Sequence, residues 1–395
     1  MHALANGLFE PSAKRLLRHL LAGCAVFLTL IAAVISVRAP AWPNAFVAPA
    51  PPLSCVGQSV FDIQPFRQAD RYAHAVTAVI LRDGRMRAIW YEGFKELSPD
   101  VKLWTALYDG VRWTDMHPFL DATQTSEGSG RYVRKLGDPI IFRDANGELV
   151  IVFATLGIGG WDGASLKIIR SSDEGQNWSP PQNLTTTAIF NLGANVKGAA
   201  VPAAGGFTIV PTSREFVQTF SELVLLDNRG RVVGKRRIGV RLGGTQPFTS
   251  VLDEQRAVTF MRLLQGFTLF AKTRDAGQTW TAPAPTTIPA ADSPVVVTPI
   301  GGGLLMVSSY YDKPIDRWSL NFSISMDEGE TWRTIHSRQF GAGLLTKARY
   351  PWLIAGPDGL YHLLFTYSHL DGSTELMHGR ISRDWIAEQG GPECP

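Results

Sequence analysis

The sequence predicts an all-β chain folded as a six-bladed β-propeller, preceded by one N-terminal transmembrane helix. Three observations carry the propeller. One eight-residue phrase occurs three times. Its copies are spaced by multiples of about fifty residues, the length of one four-stranded blade. Helical periodicity is nearly absent after residue 40, where short β-rich runs alternate with turn signals, as at 75–81, 140–142, 149–153 and 360–367.

The phrase reads Ser171-Ser172-Asp173-Glu174-Gly175-Gln176-Asn177-Trp178, then Thr273-Arg274-Asp275-Ala276-Gly277-Gln278-Thr279-Trp280, then Ser325-Met326-Asp327-Glu328-Gly329-Glu330-Thr331-Trp332. Each copy joins two strand-like runs, so each reads as a hairpin turn. The Asp accepts backbone N–H groups within the turn. The Gly supplies a positive φ without steric cost. The Trp folds back as an apolar plug with a polar handle. These are positions of architecture, not of chemistry. Asp173 and Asp275 lie 102 residues apart, and Asp275 and Asp327 lie 52 apart. One interval is double the other, so one repeat has lost its recognisable copy. A degenerate copy at Asp227-Asn228-Arg229-Gly230 fills the gap. Another precedes the series at Tyr108-Asp109-Gly110-Val111-Arg112-Trp113, and residues 350–382 trace a last blade.

The phrase resembles the Asp-box of the sialidase superfamily, whose propeller has six blades. From Tyr72 onward the chain looks like the bacterial predicted-neuraminidase family, over roughly residues 72–386. The landmarks are Ala73-His74-Ala75, Pro99-Asp100-Val101, Asp138-Pro139, Lys197, Thr212-Ser213-Arg214-Glu215, Arg262, Arg317 and Tyr350-Pro351.

Ahead of the propeller, residues 1–19 are polar, with Lys14, Arg15 and Arg18, and read as a cytoplasmic segment. Leu20 to Val37 is an uncharged, mostly apolar run, just long enough to span a bilayer as a signal-anchor. A signal peptide cleaved to leave a secreted domain is the alternative. Residues 38–54, rich in Pro and Ala, read as an extended linker, and the propeller occupies 55–390. The expected place is the periplasmic face of a bacterial inner membrane. Of three cysteines, Cys55 and Cys394 flank the globular part. A closed ring brings its ends together and an exported domain sees oxidising conditions, so a Cys55–Cys394 disulfide is expected, two free thiols being the alternative. A net charge of +3 is too small to suggest a nucleic-acid partner. The eight histidines show no metal-ligand spacing, and no phosphate or dinucleotide fingerprint is present, so no metal or cofactor is expected.

The site residues come from the resemblance. Sialidases hold a substrate carboxylate with three arginines, a job suited to the planar, bidentate guanidinium. Arg262 and Arg317 stand where the second and third belong. The register of the first holds His74, mostly neutral near pH 7. The resemblance makes Tyr350 the nucleophile. A phenol with a reference pKa of about 10 needs a base or a nearby cation to attack. The glutamate partner that sialidases supply is missing from Asn195-Val196-Lys197. Glu215 is one substitute, and Lys197 with the arginines is another. The acid belongs on the loop 92–100, where Glu96 and Asp100 are both candidates. The reading is an exo-glycosidase removing a terminal acidic sugar, sialic acid or a related ulosonic acid, from a glycan. A uronate polysaccharide lyase and a non-catalytic sugar-binding propeller are the alternatives.

Overall fold

The computed structural model describes residues 11–38, 42–69, 71–187, 191–216, 218–239, 244–263, 267–289 and 293–394. The chain forms two compact units, residues 1–41 and 42–395. Among the described residues the first contains one helix, Pro11–Arg38. Among the described residues no helix is long and apolar enough to cross a membrane. The run from Leu20 to Val37, read from sequence as a spanning segment, passes beyond Ile31 into residues whose side chains lie outside the description. So do residues 1–10 of the expected cytoplasmic segment and 39–41 of the expected linker.

The second unit is an all-β propeller of six antiparallel sheets. Blades I to V are continuous in sequence, at 72–120, 135–184, 194–238, 245–289 and 296–342. In each, the strands follow one another from the inner edge outward, and first strands of neighbouring blades contact one another around the axis. Blade III departs slightly, since its inner edge is split into Ala194–Val196 and Val201–Ala203. Blade VI is assembled from both ends of the unit. Its first three strands lie at 347–381, and its outermost strand is Phe61–Ala69, paired antiparallel with Thr374–Ile381.

All five sequence-predicted turns sit between the third and fourth strands of blades I to V. In the three full copies the Asp accepts the backbone N–H two residues beyond the Gly, at 2.9 Å each. The Ser or Thr hydroxyl accepts the Gly N–H at 2.8–3.0 Å. The residue before each Gly is also left-handed: Glu174, Ala276 and Glu328 have φ of 62°, 55° and 58°. The Trp plugs pack on the preceding blade, as Trp178 on Phe119 and Trp332 on Phe260. Blade VI has no such turn for a topological reason. Its third and fourth strands are not consecutive in the chain, so there is no hairpin to cap.

The seam is reinforced at the same blade. Cys55 and Cys394 are disulfide-bonded, with Cα atoms 5.8 Å apart. Asp384, in the short helix Arg383–Glu388, accepts the N–H groups of Val56 and Gly57 at 2.9 and 3.0 Å. Phe61 stacks on Trp385, and Phe66 on Trp113 of blade I, each at 4.2 Å. The stretch read as a free linker is partly docked. Trp42 and Phe46 are buried on blades III and IV. Apolar burial at these two side chains outweighs the Pro/Ala-rich character of their surroundings.

The disulfide bridges residues 339 apart in sequence, so breaking it releases a very long loop. The expected loss of stability in the Cys55→Ser/Cys394→Ser chain is about 3–5 kcal/mol. Equilibrium urea unfolding of wild type and variant checks this, and equal midpoints would leave closure to the Phe61–Ala69 strand alone.

Candidate active site

Four inner strands are broken at equivalent positions. The pairing register skips between His74 and Thr77 in blade I, Gly137 and Ile140 in II, Thr245 and Phe248 in IV, and Arg349 and Trp352 in VI. Inside each skip one non-glycine residue is left-handed: Ala75 (φ 58°), Asp138 (39°), Gln246 (47°) and Tyr350 (58°). Such bulges re-aim side chains, and left-handed non-glycine residues persist only where the surroundings hold them. Three of the four precede a proline (Pro139, Pro247 and Pro351), which has no N–H to lose from an interrupted ladder. Gly198 of blade III fits beside the blade IV bulge because it lacks a Cβ, which would sit 2.0 Å from the Pro247 carbonyl oxygen.

Three of these side chains, Asp138, Gln246 and Tyr350, meet in a cavity of about 300 Å³. Tyr350 is held from three other blades and from the connection that enters blade V. Its N–H donates to Ser293 Oγ on that connection at 3.0 Å. Its hydroxyl accepts from Gln246 Nε2 of blade IV at 3.1 Å. Arg262 Nη1 donates to Gln246 Oε1 at 2.9 Å and lies 3.5 Å from the same hydroxyl. The Lys197 ammonium of blade III lies 5.2 Å from the ring centroid, and the His74 ring of blade I meets the ring edgewise at 4.2 Å. Burial pushes the phenol up to about 12, Asp138 adding to the rise and Arg262 opposing it. Tyr350 is therefore a neutral phenol near neutral pH.

The remaining charges set each other's state. Burial raises the Asp138 carboxyl above the usual carboxylate range, with Glu96 and Glu215 raising it further and Lys197 opposing. Burial holds the Lys197 ammonium below its usual value. Lys197 Nζ is buried and makes no hydrogen bond among the described residues. His74 is held well below its ordinary value by burial and then by the charges of Arg349, Lys197 and Arg262, so it is neutral. Glu96, on the exposed loop after the second strand of blade I, accepts from the Tyr72 hydroxyl at 3.1 Å. Glu215 accepts from Ser213 Oγ at 3.0 Å.

The cavity thus brings together Tyr350, Glu96, Glu215, Arg262 and His74, with Lys197 packed against the ring. It does not bring in Asp100 or Arg317. Asp100 turns to the other side of its loop, where it accepts from the Phe94 N–H at 2.9 Å, from Ser98 Oγ and from Arg71. Arg317 begins the third strand of blade V, one strand too far from the axis. It is exposed and donates to the Phe340 carbonyl at 3.3 Å. Arg262 reaches the cavity because it stands on a second strand, adjacent to the inner one. Sequence reasoning missed Asp138, Gln246 and Arg349 as lining residues. A signal was present: the pairs Asp138-Pro139, Gln246-Pro247 and Tyr350-Pro351 recur at two-blade intervals, and Arg349 adjoins Tyr350.

Comparison with known proteins agrees with this architecture. The chain matches the BNR repeat-like domain over residues 84–363. No curated protein matches it. Among solved structures, it is similar to a protein of unknown function from Dyadobacter fermentans, with TM-score 0.67 at 15% identity, covering 84% of this chain and 100% of that one. It is similar to the intramolecular trans-sialidase from Ruminococcus gnavus, with TM-score 0.64 at 13% identity, covering 84% and 99%. It is also similar to the NanB sialidase from Streptococcus pneumoniae, with TM-score 0.63 at 11% identity, covering 81% and 70%. At these identities the structural likeness speaks for the fold. With the domain match covering most of the propeller, the chain belongs to the BNR repeat-like family.

Proposed function

We propose that the cavity removes a terminal acidic monosaccharide from a glycan, with sialic acid or a related ulosonic acid as the sugar. The observation that carries this is the Tyr350 hydroxyl in a sugar-sized cavity, beside the Arg262 guanidinium and facing a wall of carboxyl groups. Arg262 and Arg349 hold the substrate carboxylate. Glu96 protonates the glycosidic oxygen as that bond breaks. The Tyr350 oxygen attacks the anomeric carbon, and its proton passes to Asp138 or Glu215. Water then releases the sugar from the tyrosine. A neutral phenol suits this attack because the substrate carboxylate repels an anionic nucleophile. Tyrosine is a known exception to the two-carboxylate plan of glycosidases. The Cys55–Cys394 disulfide supports an exported, oxidising location, with the helix Pro11–Arg38 as export signal or anchor.

The test is release of 4-methylumbelliferone from its sialic acid glycoside by the full chain. Tyr350→Phe is expected to lower kcat/KM by about 10³ or more. Glu96→Gln is expected to lower it by about 10²–10⁴, the range for a lost general acid. Asp100→Asn should stay within a few-fold of wild type. Undiminished release by Tyr350→Phe would sink the mechanism. The edgewise His74–Tyr350 contact favours one second reading, a uronate lyase in which these two groups move protons. A wild type inert on the glycoside but forming unsaturated, ultraviolet-absorbing uronate from a uronate polysaccharide would establish it.

The neutral His74 also sets a pH dependence of stability. Its folded pKa is depressed, so below about pH 6.5 the unfolded chain takes up a proton that the folded chain refuses. Stability from this group is present above that pH and lost as pH falls, by up to about 1.4 kcal/mol per pH unit. His74→Gln is expected to shrink the fall in Tm between about pH 7.5 and 5.5. His378, held down to about 3 mainly by burial, keeps a residual slope in both proteins. Parallel slopes in scanning calorimetry would show that His74 takes up its proton as readily in the folded chain as in the unfolded one, and would overturn the burial argument.

A further inference from the structure

A second cavity, of about 320 Å³, lies across the loop 93–101 from the candidate active site. The two are lined by residues that are close neighbours in the chain. Tyr72 hydrogen-bonds to Glu96 of the first cavity, while the preceding residue, Arg71, lines the second. Glu96 faces the first and Asp100, four residues on, lines the second. On the crest between them Phe94 is 72% exposed.

The second cavity is built. Arg67 stands on the closing strand Phe61–Ala69 and meets buried Glu92 through two bonds, Nη2 to Oε1 at 2.7 Å and Nε to Oε2 at 3.3 Å. Glu92 also accepts from Trp90 Nε1 at 3.0 Å. These bonds fix the guanidinium over the Trp104 ring, 5.0 Å from its centroid. Arg71 and exposed Lys102 complete the wall. Arg67 pairs with Glu92 and Arg71 with Asp100, so three cations face two carboxylates and Lys102 leaves one positive charge in excess. A guanidinium held over an aromatic ring, with further cations beside it, matches a sugar ring that carries a carboxylate.

We propose that this cavity is a subsite for the carboxylate of a second acidic sugar, on the leaving-group side of the bond cleaved. This deepens the proposed glycosidase reading and rests on it for the placement relative to the cleaved bond. Phe94 offers a stacking surface to the connecting residue. The protein then favours an acidic oligosaccharide over an isolated terminal sugar.

The test separates the subsite from the catalytic reading. Binding of the α2,8-linked N-acetylneuraminic acid dimer, and of sodium glucuronate, is measured by titration calorimetry on the full chain carrying Tyr350→Phe. Two further variants add Arg71→Ala/Lys102→Ala or Arg262→Ala. Arg71 and Lys102 are exposed, so the fold survives their loss. Glucuronate is expected to fill two sites, one lost with each added variant, and the dimer to bind about tenfold more weakly without Arg71 and Lys102. Glucuronate binding that is wholly lost with Arg262→Ala, or unchanged by Arg71→Ala/Lys102→Ala, or absent altogether, overturns the subsite. If the wild type cleaves the dimer, Arg71→Ala/Lys102→Ala is expected to raise KM for it about tenfold while leaving the methylumbelliferyl glycoside unaffected. A chain that cleaves nothing but shows both glucuronate sites refutes the hydrolase and retains the subsite.

Discussion

At one level of the ring the inner strands of blades I, II, IV and VI are forced through a left-handed residue, and the candidate site depends on it. A regular strand alternates its side chains between the two faces of its sheet. The bulges of blades II, IV and VI break that alternation and turn Asp138, Gln246 and Tyr350 into the cavity. A left-handed non-glycine residue is costly and survives only if neighbours over-determine it. Here they do. Tyr350 is fixed by Ser293 at its N–H and by Gln246 at its hydroxyl, and Gln246 is fixed in turn by Arg262. The cost of the bulges is met by contacts that cross between blades, so the site and the ring stabilise one another.

The same convergence explains the electrostatics. Arg262, Arg349 and Lys197 share a small, mostly buried space with Glu96, Asp138 and Glu215. Burial disfavours the charged forms of Asp138 and Lys197, and each of the two opposes that effect on the other. The groups closest to the centre respond by staying neutral: the phenol of Tyr350 is pushed up and His74 is pushed down. On the proposed function, an acidic substrate entering this space meets cations already held by protein contacts, with little reorganisation to undergo.

Much of the fold was legible because the Asp-box turns are local. Ser or Thr, Asp and Gly close hydrogen bonds with backbone only a few residues away, so their spacing reads out the blades directly. The blade without a box was also explicable, since its last strand arrives from the other end of the unit. The Cys55–Cys394 pairing followed from that closure. The site was legible only in part. Tyr350, Arg262, His74, Glu96 and Glu215 line one cavity, whereas Arg317 and Asp100 lie outside it. Motif register places a residue along a strand but does not say which strand of the blade carries it, or which side of a loop it faces. Asp138 and Gln246 escaped because their direction depends on a backbone irregularity, for which a following proline is only a faint sign.

The docked stretch after residue 41 bears on how the ring carries mechanical load. Trp42 donates to the Ala276 carbonyl, Phe46 donates to Glu254, and Val47 donates to Pro202, all on blades III and IV. The chain must then travel to blade VI before Phe61–Ala69 enters its sheet. A pull on the N-terminal end therefore reaches the Trp42–Val47 clasp before it reaches the closing strand. The clasp is a strain relief, as on a cable. Behind it stands the covalent stop at Cys55, so tension is dissipated before it can peel the strand that keeps the six blades, and the cavity at their centre, in a closed circle.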